Sequence, residues 1–184
     1  FLSATWPLAA DGGKGSRTIT LASAPTPPLT PGEIVRVDQT TNPELTVWSP
    51  DSPPDDPSRG WECRMDRPIS QILEVASADG TSVTFQTPLH IGFATAFGAE
   101  LARYGEDWRG LEPVPATKWS GVEDLYVEGG TGGNIQLNVC AYCWVRRVES
   151  AHSIESSVGL VGCYRSEVRD SYIHTSDNPN PGGA

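Results

Sequence analysis

The sequence predicts an all-β chain whose C-terminal third winds as a parallel β-helix, on three observations. Slid against itself by 23 residues, that third superposes Val122 on Val145 and Val168, Leu125 on Val148 and Ser171, and Val127 on Ser150 and Ile173; Ile135 meets Val158, Leu137 meets Leu160 and Cys140 meets Cys163. Self-similarity at a fixed period of this size marks a solenoid in which each repeat is one supersecondary unit. Within the period the residues alternate as in strands, in Asp124-Leu125-Tyr126-Val127 and again in Ile135-Gln136-Leu137-Asn138-Val139, with Gly-rich or Ser-rich corners between. Lastly, 19 glycines and 16 prolines among 184 residues punctuate the chain too often for long helices. A leucine-rich repeat can share this length, but its L-x-x-L-x-L-x-x-N signature is missing, so each repeat is expected to be one coil of short strands.

The elements follow in order. From Ser16 to about Leu89 the pattern is a compact β region: Thr18–Leu21 is a strand, and Pro31-Gly32-Glu33 turns into the strand Ile34–Asp38. Ile72–Val75 and Ser82–Phe85 then flank an Asp79-Gly80 turn as a hairpin. Between these strands, residues 40–68 are rich in Pro, Asp and Ser and are expected to wander over the surface. Residues 90–118 are irregular, with Trp108, Pro113 and Pro115 packing the connection onto the first coil; only Thr95–Tyr104, around Ala99-Glu100-Leu101-Ala102-Arg103, has the composition of a short helix. The expected organisation is a segment 1–15, a β region with linker over 16–118, and coils over 119–184.

Composition excludes several functions. A formal net charge of −10 argues against nucleic acid, which needs clustered Lys and Arg. The one dense acidic stretch, Asp51–Asp56, offers carboxylates of the type calcium takes, although Pro-rich acidic loops are more often merely solvated. No run is apolar and long enough to span a bilayer. The chain begins at Phe1 with no basic segment ahead of an apolar stretch, so it is expected to be either processed or a fragment, and to act outside the cell or at its surface. A hydrophobic content of 38% supplies a core once coils stack.

Gly13-Lys14-Gly15-Ser16-Arg17-Thr18-Ile19-Thr20-Leu21, followed by the stretch Pro31–Asp38, opens a pattern that continues in Ser120–Leu125, Cys143–Ser150 and Glu167–His174. Together these resemble the N-terminal portion of bacterial right-handed parallel β-helix proteins of the pectate-lyase-like superfamily. The resemblance implies a right-handed helix, here showing about three 23-residue coils, with a small β domain inserted after an early coil. It also implies more coils than are present, so that further coils of a longer parent chain, or another chain, would stack on the end near Pro181–Ala184. Members include polysaccharide lyases, glycoside hydrolases, epimerases and non-catalytic adhesins or tailspikes, so the fold alone assigns no reaction.

The register names the outward columns. If Leu125, Val148 and Ser171 point inward, Asp124, Arg147 and Asp170 stack outward at ~4.8 Å intervals, and Arg147 can pair with both aspartates. Tyr126, Glu149 and Tyr172 form the next column, then Glu128, Ala151 and His174. A surface ion-pair ladder is the plain reading. The functional reading is a carbohydrate-binding face, with Tyr126 and Tyr172 as flat rings and Glu149 and Arg169 as hydrogen-bonding partners. For catalysis, Asp170, His174 and Asp177 could meet on the last coil with Arg147 and Arg169 nearby, since lyases use a basic residue, often with calcium, and hydrolases use paired carboxylates. No catalytic motif of the superfamily matches residue by residue, so no catalytic role is carried over; His152 and His174 are expected as surface histidines.

Cys140 and Cys163 hold equivalent places on adjacent coils, within disulfide reach if they face each other. Cys140-x-x-Cys143 with Cys163 and Cys63 would complete a four-thiolate zinc site. The single CxxC and the aromatic neighbours Tyr142 and Trp144 favour stacked buried thiols over a disulfide, and a disulfide over zinc. Two functional readings therefore stand: a secreted carbohydrate-active protein, lyase or hydrolase, represented by its N-terminal part, and a structural or adhesive β-helix that assembles end to end or binds surface glycans.

Overall fold

The computed structural model describes residues 5–40, 67, 69–106 and 114–177. Cys63, the acidic stretch Asp51–Asp56, Trp108, Pro113 and Pro181–Ala184 lie outside the described residues. Among the described residues the structure is all-β, with one 3-10 turn at Thr95–Phe97 and no α-helix. Two compact units divide the chain, Phe1–Pro115 and Ala116–Ala184.

The first unit contains β1 (Thr5–Pro7), β2 (Thr18–Thr20), β3 (Ile34–Gln39), β4 (Ile69–Asp79), β5 (Ser82–Phe85), β6 (Glu100–Arg103), and the short pair β7 (Gly105–Glu106) and β8 (Val114–Pro115). Six of them form a sheet in the order β1-β6-β3-β4-β5-β2 with every neighbour antiparallel. Beyond β1 and β2 the chain pairs again, Leu8 with Leu21, so the six strands close on themselves and leave no free edge. The predicted turn before β3 is present, with Gly32 at φ 86°, and the predicted hairpin is β4–β5, joined by Gly80 at φ 57° and Thr81. A bulge between Val75 and Ser77 bends β4, whose first half pairs with β3 and second half with β5. Alternate residues of these strands fill the interior: Val35, Val37, Leu73, Val75, Val83, Phe85 and Leu101 are at most 1% exposed.

Of the stretch expected as a short helix, Thr95–Tyr104, Thr95–Phe97 is the 3-10 turn and Glu100–Arg103 is the strand β6. Leu101 and Ala102 are both fully buried, because β6 lies between β1 and β3 and is covered on both faces. Tertiary pairing here overrides the helix-forming composition of Ala-Glu-Leu-Ala. The other face of β3 carries charge. Asp38, fully buried, receives Arg67 Nε at 2.6 Å on one carboxylate oxygen, and Arg36 Nε lies 3.0 Å from the other.

The second unit contains β9 (Thr117–Lys118), β10 (Gly121–Glu128), β11 (Ile135–Asn138), β12 (Cys140–Ala141), β13 (Trp144–Ala151), β14 (Val158–Val161), β15 (Glu167–Arg169) and β16 (Tyr172–Ile173). Its ladders are parallel and share one offset: Val122 pairs with Val145 and Val145 with Val168, Glu149 pairs with Tyr172, Ile135 with Val158, and Thr117 with Cys140. The 23-residue shift seen in the sequence is therefore the pairing register. Burial is greatest in the middle repeat, where Cys140, Ala141, Cys143, Val145, Val148, Ser150 and Ala151 are all under 5% exposed. These residues have a repeat on each side, and in a quasi-one-dimensional stack each repeat is covered only by its neighbours. For the same reason Leu125 and Leu160, expected inside, are 41% and 42% exposed. The buried serines are satisfied: Ser150 Oγ accepts from Asn134 Nδ2 and donates to the Ser157 carbonyl, both at 3.0 Å.

Candidate functional site

The repeats turn at left-handed residues, and these stack. Trp119, Tyr142 and Arg165 have φ of 55, 57 and 50°; Asp124, Arg147 and Asp170 have 55, 51 and 52°; Gly129, His152 and Thr175 have 78, 53 and 50°; Val139 and Gly162 have 48 and 60°. A left-handed L-residue costs roughly 1–2 kcal/mol, and here the turned amides of Trp119, Val139, Tyr142 and His152 each find a carbonyl in the next repeat, as Tyr142 N does at Tyr164 O and His152 N at Thr175 O. The left-handed residue also interrupts strand alternation. In β13, Val145 and Val148 are buried while Arg146 and Arg147 between them both face outward.

That extra outward residue builds a charged clamp. Arg147 binds Asp124 through both carboxylate oxygens at 2.5 and 2.7 Å, and Arg146 and Arg147 converge on Glu123 Oε2 at 2.7 and 2.9 Å. Trp144 Nε1 donates to the other Glu123 oxygen at 2.5 Å. Both ion pairs of Arg147 run back to the preceding repeat; the expected bridge onward to Asp170 is not formed. The hydrogen bonds from Arg146 and Trp144 hold the Glu123 carboxyl below its usual range, and that from Arg147 does the same for Asp124. Asp124 in turn raises the Arg147 guanidinium.

Carboxylates with lowered folded-state pKa stabilise the fold above their ordinary values, 4.5 for Glu123 and 3.8 for Asp124, and that contribution is lost as pH falls through the lower folded values. The melting midpoint of the second unit is therefore expected to be flat down to about pH 5 and to fall below it. Arg147→Ala is expected to lower the neutral midpoint by a small amount, because the pairs are exposed, and to remove the matching part of the acid slope, so that variant and wild type converge at low pH.

Gly121 sits beneath the same cluster, where an added Cβ would lie 2.3 Å from the Trp144 ring. Gly121→Ala is expected to push the indole off the strand and cost about 1–3 kcal/mol, read as a lower midpoint with a changed near-ultraviolet circular dichroism band.

Along the same sheet Tyr126, Glu149 and Tyr172 occupy one column in direct register. Tyr126 and Tyr172 are 54% and 64% exposed. Tyr126 donates its hydroxyl to the Glu128 carboxylate, which raises the phenol pKa. Tyr172 stacks on His174 at 4.2 Å, and His174 Nε2 lies 3.1 Å from Glu149 Oε1. Two flat exposed rings thus flank exposed carboxylates and a half-buried imidazole. The array can present C–H-binding faces and hydrogen-bond acceptors at a fixed spacing of ~4.8 Å.

Three bacteriophage tailspikes are among the solved structures similar to this chain. The tailspike gp49 of Pseudomonas phage LKA1 matches with a TM-score of 0.61 and 12% identity over 95% of this chain and 31% of its own. The tailspike gp61 of Pseudomonas phage phi297 matches at 0.50 and 18% identity, over 96% and 34%. The gp54 tailspike of the Acinetobacter baumannii bacteriophage AP22, solved in complex with an A. baumannii capsular saccharide, matches at 0.50 and 12%, over 94% and 34%. At these identities the likeness is one of fold, and the chain spans about a third of the length of each tailspike. No protein-family profile matches the sequence, and no curated protein matches it.

The remaining predicted residues are dispersed. Asp177 pairs with His152 Nδ1 at 3.1 Å, so His174 and Asp177 engage different partners. Arg169 pairs with Glu167 at 3.0 Å, and Asp170 holds an exposed corner. Cys140 and Cys163 lie in register with sulfurs 3.2 Å apart, both as free thiols, with Cys143 free as well. Burial raises the Cys140 and Cys143 thiols. Among the described residues no group of three His, Cys, Asp or Glu is placed to hold a metal. Sequence reasoning missed Glu123, the hub of the clamp, and the corner Trp119–Tyr142, whose signal was their 23-residue spacing with Arg165.

Proposed function

We propose that this chain is the N-terminal part of a tailspike-like glycan-binding protein. Its second unit would be the first coils of a right-handed parallel β-helix, and its first unit the small β domain set into an early coil. The pectate-lyase-like resemblance and the tailspike likeness both support that form. The observation that carries the function is the exposed Tyr126–Glu149–Tyr172 column with Glu128 and His174 beside it, a rigid polar and aromatic face on paired strands. A neighbour of the same fold was solved with a capsular saccharide, which supports a bacterial surface glycan as the ligand class. In this reading the protein acts outside the cell that made it, with further coils stacking beyond β16.

Binding is favoured over turnover because three of the four candidate catalytic groups are committed pairwise, His174 to Glu149, Asp177 to His152 and Arg147 to Asp124. The test is binding of the purified chain to an array of bacterial capsular polysaccharides, with release of reducing or unsaturated ends followed in parallel. Each ring is worth about 1 kcal/mol of contact, so Tyr126→Ala with Tyr172→Ala is expected to weaken binding roughly thirtyfold without loss of fold. Unchanged binding in the double variant would remove the sheet face from the site; steady release of new chain ends would make the protein an enzyme.

A further inference from the structure

The second unit carries another exposed aromatic column, at the corner that precedes β10, β13 and β15. Trp119, Tyr142 and Arg165 hold its left-handed positions, with φ of 55, 57 and 50°. Glycine takes such a conformation without steric cost and does so at Gly129 and Gly162, whereas a bulky residue there is an outlier. Outliers of this type point toward function when the turn itself does not need the side chain. Trp119 and Tyr142 lie ring to ring, with centroids 4.3 Å apart and planes 5° from parallel. Their mutual stacking uses one face of each, and Trp119 is still 67% exposed.

Arg165 completes the column and differs from the other arginines of the unit. Arg146 and Arg147 hold Glu123, and Arg169 holds Glu167. Among the described residues Arg165 has no carboxylate partner; it lies over the Tyr164 ring at 5.5 Å, and Tyr164 meets Tyr142 edge-on at 5.7 Å. A flat exposed indole and an unneutralised guanidinium therefore stand on one edge, in a chain whose net charge is −10. A guanidinium left without a carboxylate in so acidic a chain is free to receive one from a ligand.

We propose that Trp119, Tyr142 and Arg165 form a subsite for an acidic glycan. The C–H face of one pyranose stacks on Trp119, backed by Tyr142, and Arg165 receives the carboxylate of another sugar. Two repeats separate Trp119 from Arg165, about 10 Å, which is more than one pyranose ring, so the stacked ring and the acid belong to successive sugars. This inference rests on the glycan-binding reading above and adds to it a second contact surface and a charge class.

The experiment is the same array of bacterial capsular polysaccharides, divided into those with uronic or other carboxylated sugars and those without. Trp119→Gly removes the ring while suiting the left-handed backbone, so the unit is expected to stay folded, checked by its circular dichroism and melting midpoint. The wild type is expected to prefer carboxylated glycans. Trp119→Gly is expected to lose about tenfold in affinity, and Arg165→Gln to lose the preference for the acid while retaining neutral binding. Wild-type affinity in both variants overturns the subsite, as does binding confined to neutral glycans; either result leaves the sheet-face function standing if Tyr126→Ala with Tyr172→Ala still weakens binding roughly thirtyfold. Absence of any glycan binding by the wild type overturns both.

Discussion

Asp38→Ala is expected to unfold the first unit under conditions where the wild type is folded. Asp38 is fully buried, and its two carboxylate oxygens serve Arg67 at 2.6 Å and Arg36 at 3.0 Å, both of them under 10% exposed. Alanine leaves two guanidinium groups inside the protein without this partner, although Arg67 keeps Glu100 at 3.5 Å. Breaking a buried pair from one side costs about 3–5 kcal/mol, a large share of the 5–15 kcal/mol that typically holds a domain. Asp38→Asn keeps the shape and one acceptor, so its loss should be smaller. Replacing Arg36, Asp38 and Arg67 together by apolar residues should recover much of the stability, since the desolvation of all three charges is then avoided. Urea unfolding followed by fluorescence measures all three; a midpoint for Asp38→Ala within error of the wild type would mean that this cluster contributes nothing.

Val148→Asp is expected to have a comparable effect on the second unit. Val148 is 1% exposed in β13, which is paired on one side with β10 and on the other with β15 and β16, and its amide donates to Ser171 Oγ at 3.2 Å. An aspartate there has no basic partner, so it must either ionise in an apolar site or bind a proton, and each costs several kcal/mol. Leu160→Asp is the internal control. Leu160 is 42% exposed and its new carboxylate stays in water, so the second unit should melt nearly as before. Equal losses at the two positions would mean that the repeats do not stack in the observed register.

The contrast between those two residues shows how much of this molecule is legible in its sequence. The 23-residue period was visible because paired parallel strands repeat their side-chain types, and the pairing found, Ile135 with Val158 and Val145 with Val168, is the shift read from the letters. Depth was not visible, because a repeat with one neighbour and a repeat with two can carry an apolar residue at the same position, as Leu125, 41% exposed, and Val148, 1% exposed, do. The outward column of Tyr126, Glu149 and Tyr172 followed from simple alternation and is present. Glu123 and Arg146 did not follow, because the left-handed residue after each adds one outward position that an unbroken alternation omits. Glycine and asparagine usually announce such a residue; here Trp119, Asp124, Tyr142 and Arg147 occupy it, so the corner is silent in composition. The helix expected over Thr95–Tyr104, which is a 3-10 turn and then the strand β6, has the reverse cause, a local preference defeated by pairing with strands distant in sequence.

The stacked corners also set where this chain can change length. From residue 119 the left-handed positions that the repeats share follow at intervals of five, five, ten and three residues before the cycle restarts. A single deletion between Tyr142 and Arg147 would carry the buried Val148 into the outward left-handed corner and take its side chain out of the core. It would also put every following residue of β13 out of step with β10. Only the ten-residue intervals, from Gly129 to Val139 and from His152 to Gly162, have slack between corners. Insertions, loop grafts and natural drift in repeat length are therefore confined to one edge of the stack, while the edge that carries Tyr126, Tyr172 and Trp119 is held at a fixed count.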